Sequence, residues 1–172
     1  SVGRSLPFLI CFAIGKNLIG VSWVYHSIHV FGHAEPYLAG FIVCLFVLIL
    51  SAFYIPAGMI SDYLSRPPRS SHFQLVLFAT TLSFTEWLLT WALSGFPWLF
   101  AGHSVLDMPL SSLVPVFGSL GVGWIVFCCC SSLYLLVTER RLVYLLIAGL
   151  PWLMSLMLYP AEWVKDTGEY RV

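Results

Sequence analysis

Five long apolar stretches, at about 6–28, 37–60, 73–94, 113–137 and 142–159, follow one another along the chain with polar or turn-forming residues between them. Roughly 20 apolar residues cover the hydrocarbon core of a bilayer as a helix, so each stretch can span it. The pattern predicts an all-α integral membrane protein, a bundle of about five transmembrane helices forming one domain. The segment 29–36 holds Gly32 and Pro36, which end one helix and start the next. A turn at 62–71 carries two arginines and two prolines, a longer loop runs over 95–112, and Thr138-Glu139-Arg140-Arg141 joins the last two stretches. Pro56 predicts a kink near the end of the second helix. Residues 160–172 form a polar tail.

Composition narrows the class further. Hydrophobic residues make up 59% and charged residues 9% of 172 positions, which leaves no room for an ordinary soluble domain beside five spans. The formal net charge is zero and the basic residues are scattered, so the expected partner is the bilayer and not nucleic acid. Arg4, Arg66, Arg69, Arg140 and Arg141 fall on one side of the layout, and Lys165 and Arg171 on the other. The Arg4 side is therefore read as cytoplasmic, which places 29–36, 95–112 and the tail outside. There is no internal repeat. The chain begins at Ser1 with no basic leader segment and reads as a piece of a longer protein.

Candidate chemistry is sparse. Cys11, Cys44, Cys128, Cys129 and Cys130 lie in apolar stretches without paired spacings and read as small buried hydrophobes. His26, His29 and His33 recur at steps of three and four, but Gly32 interrupts them and no Cys or carboxylate matches the spacing. They read as solvated interfacial histidines, and neither metal nor cofactor is expected.

Two charges stand out. Lys16, beside Asn17 in the first stretch, and Glu86 in the third would each be costly near mid-membrane without a partner. Both helices run outward, and at 1.5 Å per residue the two depths differ by about 5 Å, which a lysine side chain can cover. A Lys16–Glu86 ion pair is expected. Ser83, Glu86, Thr90 and Ser94 read as one polar stripe on a helix continuing to Ser94, with Phe84, Trp87 and Trp91 as an aromatic stripe beside it. In the fourth stretch Ser119 and Gly123 have the small-xxx-small spacing that lets helices approach closely.

The run Glu86-Trp87-Leu88-Leu89-x-Trp91-x-x-Ser94-Gly95-Phe96-Pro97-Trp98-x-x-x-Gly102-His103-Ser104, followed by Asp107, Pro109-Leu110 and Pro115-x-x-Gly118, resembles the membrane domain of bacterial apolipoprotein N-acyltransferases. Upstream, Trp23-Val24-Tyr25-His26-Ser27-Ile28-x-x-Phe31-Gly32 resembles that family's first outer loop. The resemblance covers nearly the whole chain. It implies an enzyme of the bacterial inner membrane that moves an acyl chain from a phospholipid to the amino group of the N-terminal, diacylglyceryl-modified cysteine of a lipoprotein. It also implies a thioester on a cysteine, assisted by a glutamate and a lysine, in an outer nitrilase-like domain that would follow this fragment. None of the five cysteines here stands in for that nucleophile, so no catalytic residue is assigned and the fragment alone should be inactive. Leu89 stands where the family has arginine and Val105 where it has glutamine, which makes Lys16 the expected partner of Glu86.

The chain therefore reads as a membrane domain that anchors the catalytic domain and shapes the entry for lipid and lipoprotein acyl chains. Trp23, Tyr25, Phe96, Trp98 and His103 are the candidate contacts, because aromatic groups at the outer interface can wall acyl chains while their polar edges meet headgroups. The alternative is a non-catalytic small polytopic membrane protein, such as a transporter subunit or assembly partner, that uses Lys16 and Glu86 as a site or packing lock.

Overall fold

A computed structural model of the chain describes residues 5–64 and 70–159. Arg4, Arg66, Arg69, Lys165, Arg171 and the tail, which enter the orientation argument, lie outside the described residues. Every regular element among the described residues is helical, so the fold is all-α. Pro36–Leu64 and Pro109–Glu139 are long and apolar enough to cross a membrane. A third crossing results if the bent pair Leu6–Gly20 and Ser22–Phe31 is one span, and Val143–Leu158 is a shorter apolar helix. The chain divides into two compact units, Ser1–Phe100 and Ala101–Val172.

The first unit contains α1 (Ser5–Gly20), α2 (Ser22–His26), α3 (Pro36–Ala52), α4 (Tyr54–Leu64) and α5 (Ser71–Leu88). Buried positions recur at steps of three and four, as one face of a helix requires. They are Leu9, Ala13 and Asn17 on α1, Ala39, Val43, Val47 and Leu50 on α3, Tyr54 and Ala57 on α4, and Leu75, Ala79, Leu82 and Glu86 on α5. The opposite faces expose Phe, Leu and Ile, as expected of helices whose solvent is lipid. Small residues bring the axes together: a Cβ on Gly58 would lie 2.8 Å from Leu6 Cδ1. Through such contacts α1 packs on α3 and α4, and α4 on α5.

Breaks in these helices have local causes. Val21 leaves helical geometry between α1 and α2 (φ −106°, ψ 8°), and the two segments meet at 46°. A π-helical turn, Ser27–Phe31, then closes with Gly32 N–H donating to the Ser27 carbonyl at 3.0 Å. Between α3 and α4 the α-helix is interrupted at Phe53, within the turn before Pro56, whose missing N–H and ring disrupt that turn.

The third apolar stretch leaves the α-helix at Leu88, six residues before the expected end at Ser94. Leu93 and Ser94 take positive φ (53° and 73°), and Phe96 N–H donates back to the Leu89 carbonyl at 2.6 Å. The chain thus folds over the end of α5 and supplies one of the donors its last carbonyls lack. Thr90 and Ser94 do not continue the stripe of Ser83 and Glu86; the Thr90 hydroxyl donates to the Trp87 carbonyl at 2.6 Å instead. Gly95 closes the reversal at φ 87°, ψ 137°, where a Cβ would meet the Thr90 carbonyl oxygen at 2.3 Å. Gly95→Ala should lower stability by about 1–3 kcal/mol. Thermal unfolding of the detergent-solubilised protein measures this, and an unchanged Tm would refute the turn.

In the second unit α6 (Val114–Glu139) and α7 (Val143–Leu158) form a hairpin across a short turn, with Arg140 in the left-handed conformation as the C-cap of α6. Cys129 Sγ donates to the Ala148 carbonyl at 3.4 Å, the Ser112 hydroxyl to the Ser155 carbonyl at 2.8 Å, and the Tyr144 hydroxyl to Glu139 Oε2 at 2.9 Å. Two short 3₁₀ segments, Ala101–Val105 and Pro109–Leu113, bring Val105, Leu110 and Leu113 into one core with Val122. The small face of Ser119 and Gly123 receives this segment. A Cβ on Gly102 would lie 2.0 Å from the Ser119 carbonyl oxygen and 3.1 Å from Gly123 N.

Candidate functional site: a buried ion pair and an aromatic loop

On α1 the inward stripe carries two adjacent polar residues, and each reaches a different turn of the α3–α4 stretch. Lys16 Nζ donates to the Tyr54 hydroxyl at 2.8 Å, and Asn17 Nδ2 donates to Ser51 Oγ at 3.1 Å. The same ammonium lies 2.9 Å from Glu86 Oε1 on α5. Tyr54 and Glu86 are each 1% exposed, whereas the Lys16 side chain retains 19%. Lys16 also sits 5.4 Å from the centre of the Tyr54 ring. A charge removed from water is costly unless its partner and remaining donors are satisfied, and this arrangement supplies both. Because its three members come from α1, α4 and α5, the network can hold those helices at a fixed spacing.

Tyr54 is the member that sequence reasoning missed. Ser51 and Tyr54, three residues apart in an otherwise apolar run, are the signal that points to it. Leu89 and Val105, where the resembled family carries polar residues, are both buried, Val105 within the core of the second unit.

The candidate contact residues separate into two groups. In the first unit Phe96 is half-buried, with its ring edge-on to Phe46 of α3 at 5.1 Å, while Trp98 is 67% exposed. Leu99 packs on Gly20, the last residue of α1, where a Cβ would lie 2.5 Å from Leu99 Cδ2. Trp23 on α2 is 54% exposed, and Tyr25 lies 5.6 Å from the His29 ring. His103 belongs to the 3₁₀ segment Ala101–Val105 of the second unit and is half-buried. Phe84, Trp87 and Trp91 form a succession of ring contacts at 5.4 and 5.6 Å on an exposed face.

His29 Nδ1–H donates to the Ala34 carbonyl at 2.8 Å, and His26 meets Phe31 edge-on. Among the described residues no three His, Cys, Asp or Glu side chains gather as a metal site would need. Cys128 and Cys129 are buried, but Cys11, Cys44 and Cys130 are exposed, contrary to the expectation for all five. On a lipid-facing helix a thiol can point outward at little cost, because the surroundings there are as apolar as the interior.

Comparison with known proteins gives a consistent relationship. A family profile described as the apolipoprotein N-acyltransferase N-terminal domain matches residues 2–132. The apolipoprotein N-acyltransferase of Coxiella burnetii is 35% identical over 162 residues, covering 92% of this chain and 33% of that protein. Proteins of the same name from Pseudomonas syringae pv. tomato and Vibrio cholerae are 34% and 29% identical, over 92% and 98% of this chain. The chain spans about a third of the length of these curated relatives.

Proposed function

The chain belongs to the apolipoprotein N-acyltransferase family, whose N-terminal domain it matches, and from that premise we propose that it serves as the membrane domain of such an enzyme. In this reading it lies in the bacterial inner membrane as about five spans, at 6–28, 37–60, the third stretch as far as the end of α5 at Leu88, 113–137 and 142–159, with the loop 95–112 and the tail on the outer side. It anchors a catalytic domain and shapes the entry through which a phospholipid and a diacylglyceryl-modified lipoprotein present their acyl chains.

The observation that carries this reading is the form of the aromatic loop. Phe96 and Leu99 turn inward and fasten it to α3 and α1, which leaves Trp98 exposed between them. An aromatic ring held out on a pinned loop can wall an acyl chain at little further cost in ordering. Trp23 and Tyr25, just past the bend that follows Gly20, are proposed to extend the wall, and His103 is proposed as a separate headgroup contact.

A chimera tests this, with the segment 2–132 replacing its counterpart in the Coxiella burnetii relative. Changing Phe96 and Trp98 together to alanine should lower acyl transfer about tenfold or more, since two aromatic contacts at about 0.5–1.5 kcal/mol each reach that size. Undiminished turnover would sink the role of the loop.

A further inference from the structure

We propose that Lys16, Tyr54 and Glu86 are positioning residues for the aromatic loop: their network fixes the spacing of α1 and α5 one helical turn from the two points that hold Phe96 and Leu99. The proposal rests on the loop being the wall of the acyl-chain entry, and its test separates the two ideas.

The first anchor is the hydrogen bond from Phe96 N–H to the Leu89 carbonyl at 2.6 Å, on the residue that caps α5. The second is the seating of Leu99 on Gly20 at the end of α1, where a Cβ would come within 2.5 Å of Leu99 Cδ2. Glu86 precedes Leu89 by three residues and Lys16 precedes Gly20 by four, so each charge lies about one turn, roughly 5–6 Å along its helix, from an anchor. The anchors Phe96 and Leu99 are three residues apart, a reach of about 10 Å at full extension. Such a short link stays on both helices only while they keep their distance. Pro97, with its fixed φ, stiffens the link further and passes any shift of α1 against α5 to Trp98.

Two further contacts brace the same assembly. The Phe96 ring rests on Phe46 of α3, and α3 is tied to α1 through Ser51 and Asn17. Tyr54 and Glu86 are each 1% exposed, so a lipid does not reach them and their influence passes through the loop. Tyr54 holds a particular place, because its hydroxyl orients the ammonium that faces Glu86 and belongs to neither anchored helix.

The test reads loop position without acyl transfer. Gly20→Cys and Leu99→Cys are introduced together into the protein in its native membrane. A Cβ at residue 20 would lie 3.1 Å from Leu99 Cγ, close enough for the two thiols to join. Mild oxidation should yield the linked peptide, identified by mass spectrometry. Adding Tyr54→Phe or Lys16→Met should slow linkage about fivefold or more, the effect of losing one hydrogen bond to a charged group. Exchanging the charges, Lys16→Glu with Glu86→Lys, should restore it.

Linkage at the native rate with Tyr54→Phe would overturn the proposal. That variant removes a single oxygen and no charge, so it serves even where Lys16→Met fails to accumulate. In the acyl-transfer assay Tyr54→Phe should raise KM for phospholipid severalfold and leave kcat within about twofold. Slowed linkage with unchanged KM would uphold the positioning role and count against the loop as the acyl-chain wall.

Discussion

Lys16→Met and Glu86→Leu are each expected to lower the stability of the membrane segment by about 3–5 kcal/mol, and the double variant by much less than the sum. The reason is the burial of the pair. Glu86 is 1% exposed and faces the ammonium at 2.9 Å, so removing either partner leaves a largely buried charge without its counter-ion. Replacing both removes the two desolvation penalties together with the attraction between the charges. The remaining loss in the double variant includes that of the Tyr54 hydroxyl, which forfeits the donor at 2.8 Å. Reversible unfolding in a bilayer or mixed micelles measures all three variants. Additive losses would show that the charges act independently.

The second large effect is expected at Gly102. A Cβ there would lie 2.0 Å from the Ser119 carbonyl oxygen, a backbone atom that no rotamer change can move aside. Gly102→Ala should therefore lower stability by about 3 kcal/mol, the upper part of the range for overpacking a tight contact. Ser119→Gly should fail to rescue it, because the clash is with the carbonyl and not with the hydroxyl. Rescue by Ser119→Gly, or native stability of Gly102→Ala, would contradict the close approach of the 3₁₀ segment to α6.

The readable features of this chain are those where chemistry is rare against its background. Lys16 and Glu86 are conspicuous because charges in apolar stretches are costly, and simple depth counting brings them within reach of each other. Tyr54 is not conspicuous, because an aromatic ring in an apolar run fits both packing and hydrogen bonding. Only its three-residue spacing from Ser51 separates the two. The end of α5 was hidden for a related reason. Apolar residues continue through Leu93 with no proline or glycine before Gly95, so periodicity extends the helix, yet the reversal at Leu93 and Ser94 begins upstream of the glycine that permits it.

Ser119 and Gly123 advertise a surface that accepts close contact, but spacing alone does not name the occupant. A neighbouring helix and a loop glycine satisfy the same small residues, and here Gly102 does so. Leu89 and Val105 illustrate the converse. As departures from a familiar motif they suggest missing chemistry, whereas in the fold both are buried apolar side chains. Glu86 needs no arginine at residue 89, since Lys16, held by the Tyr54 hydroxyl, supplies its counter-charge.

The proposed role of this segment is that of the membrane domain of an N-acyltransferase. The chimera that carries residues 2–132 in place of the matching part of the Coxiella burnetii relative tests it most directly, expressed in cells depleted of their own enzyme. Mass spectrometry of a reporter lipoprotein gives the readout. A third acyl chain is expected on the amino group of its N-terminal cysteine; a folded, membrane-inserted chimera that leaves that amine free would refute the assignment.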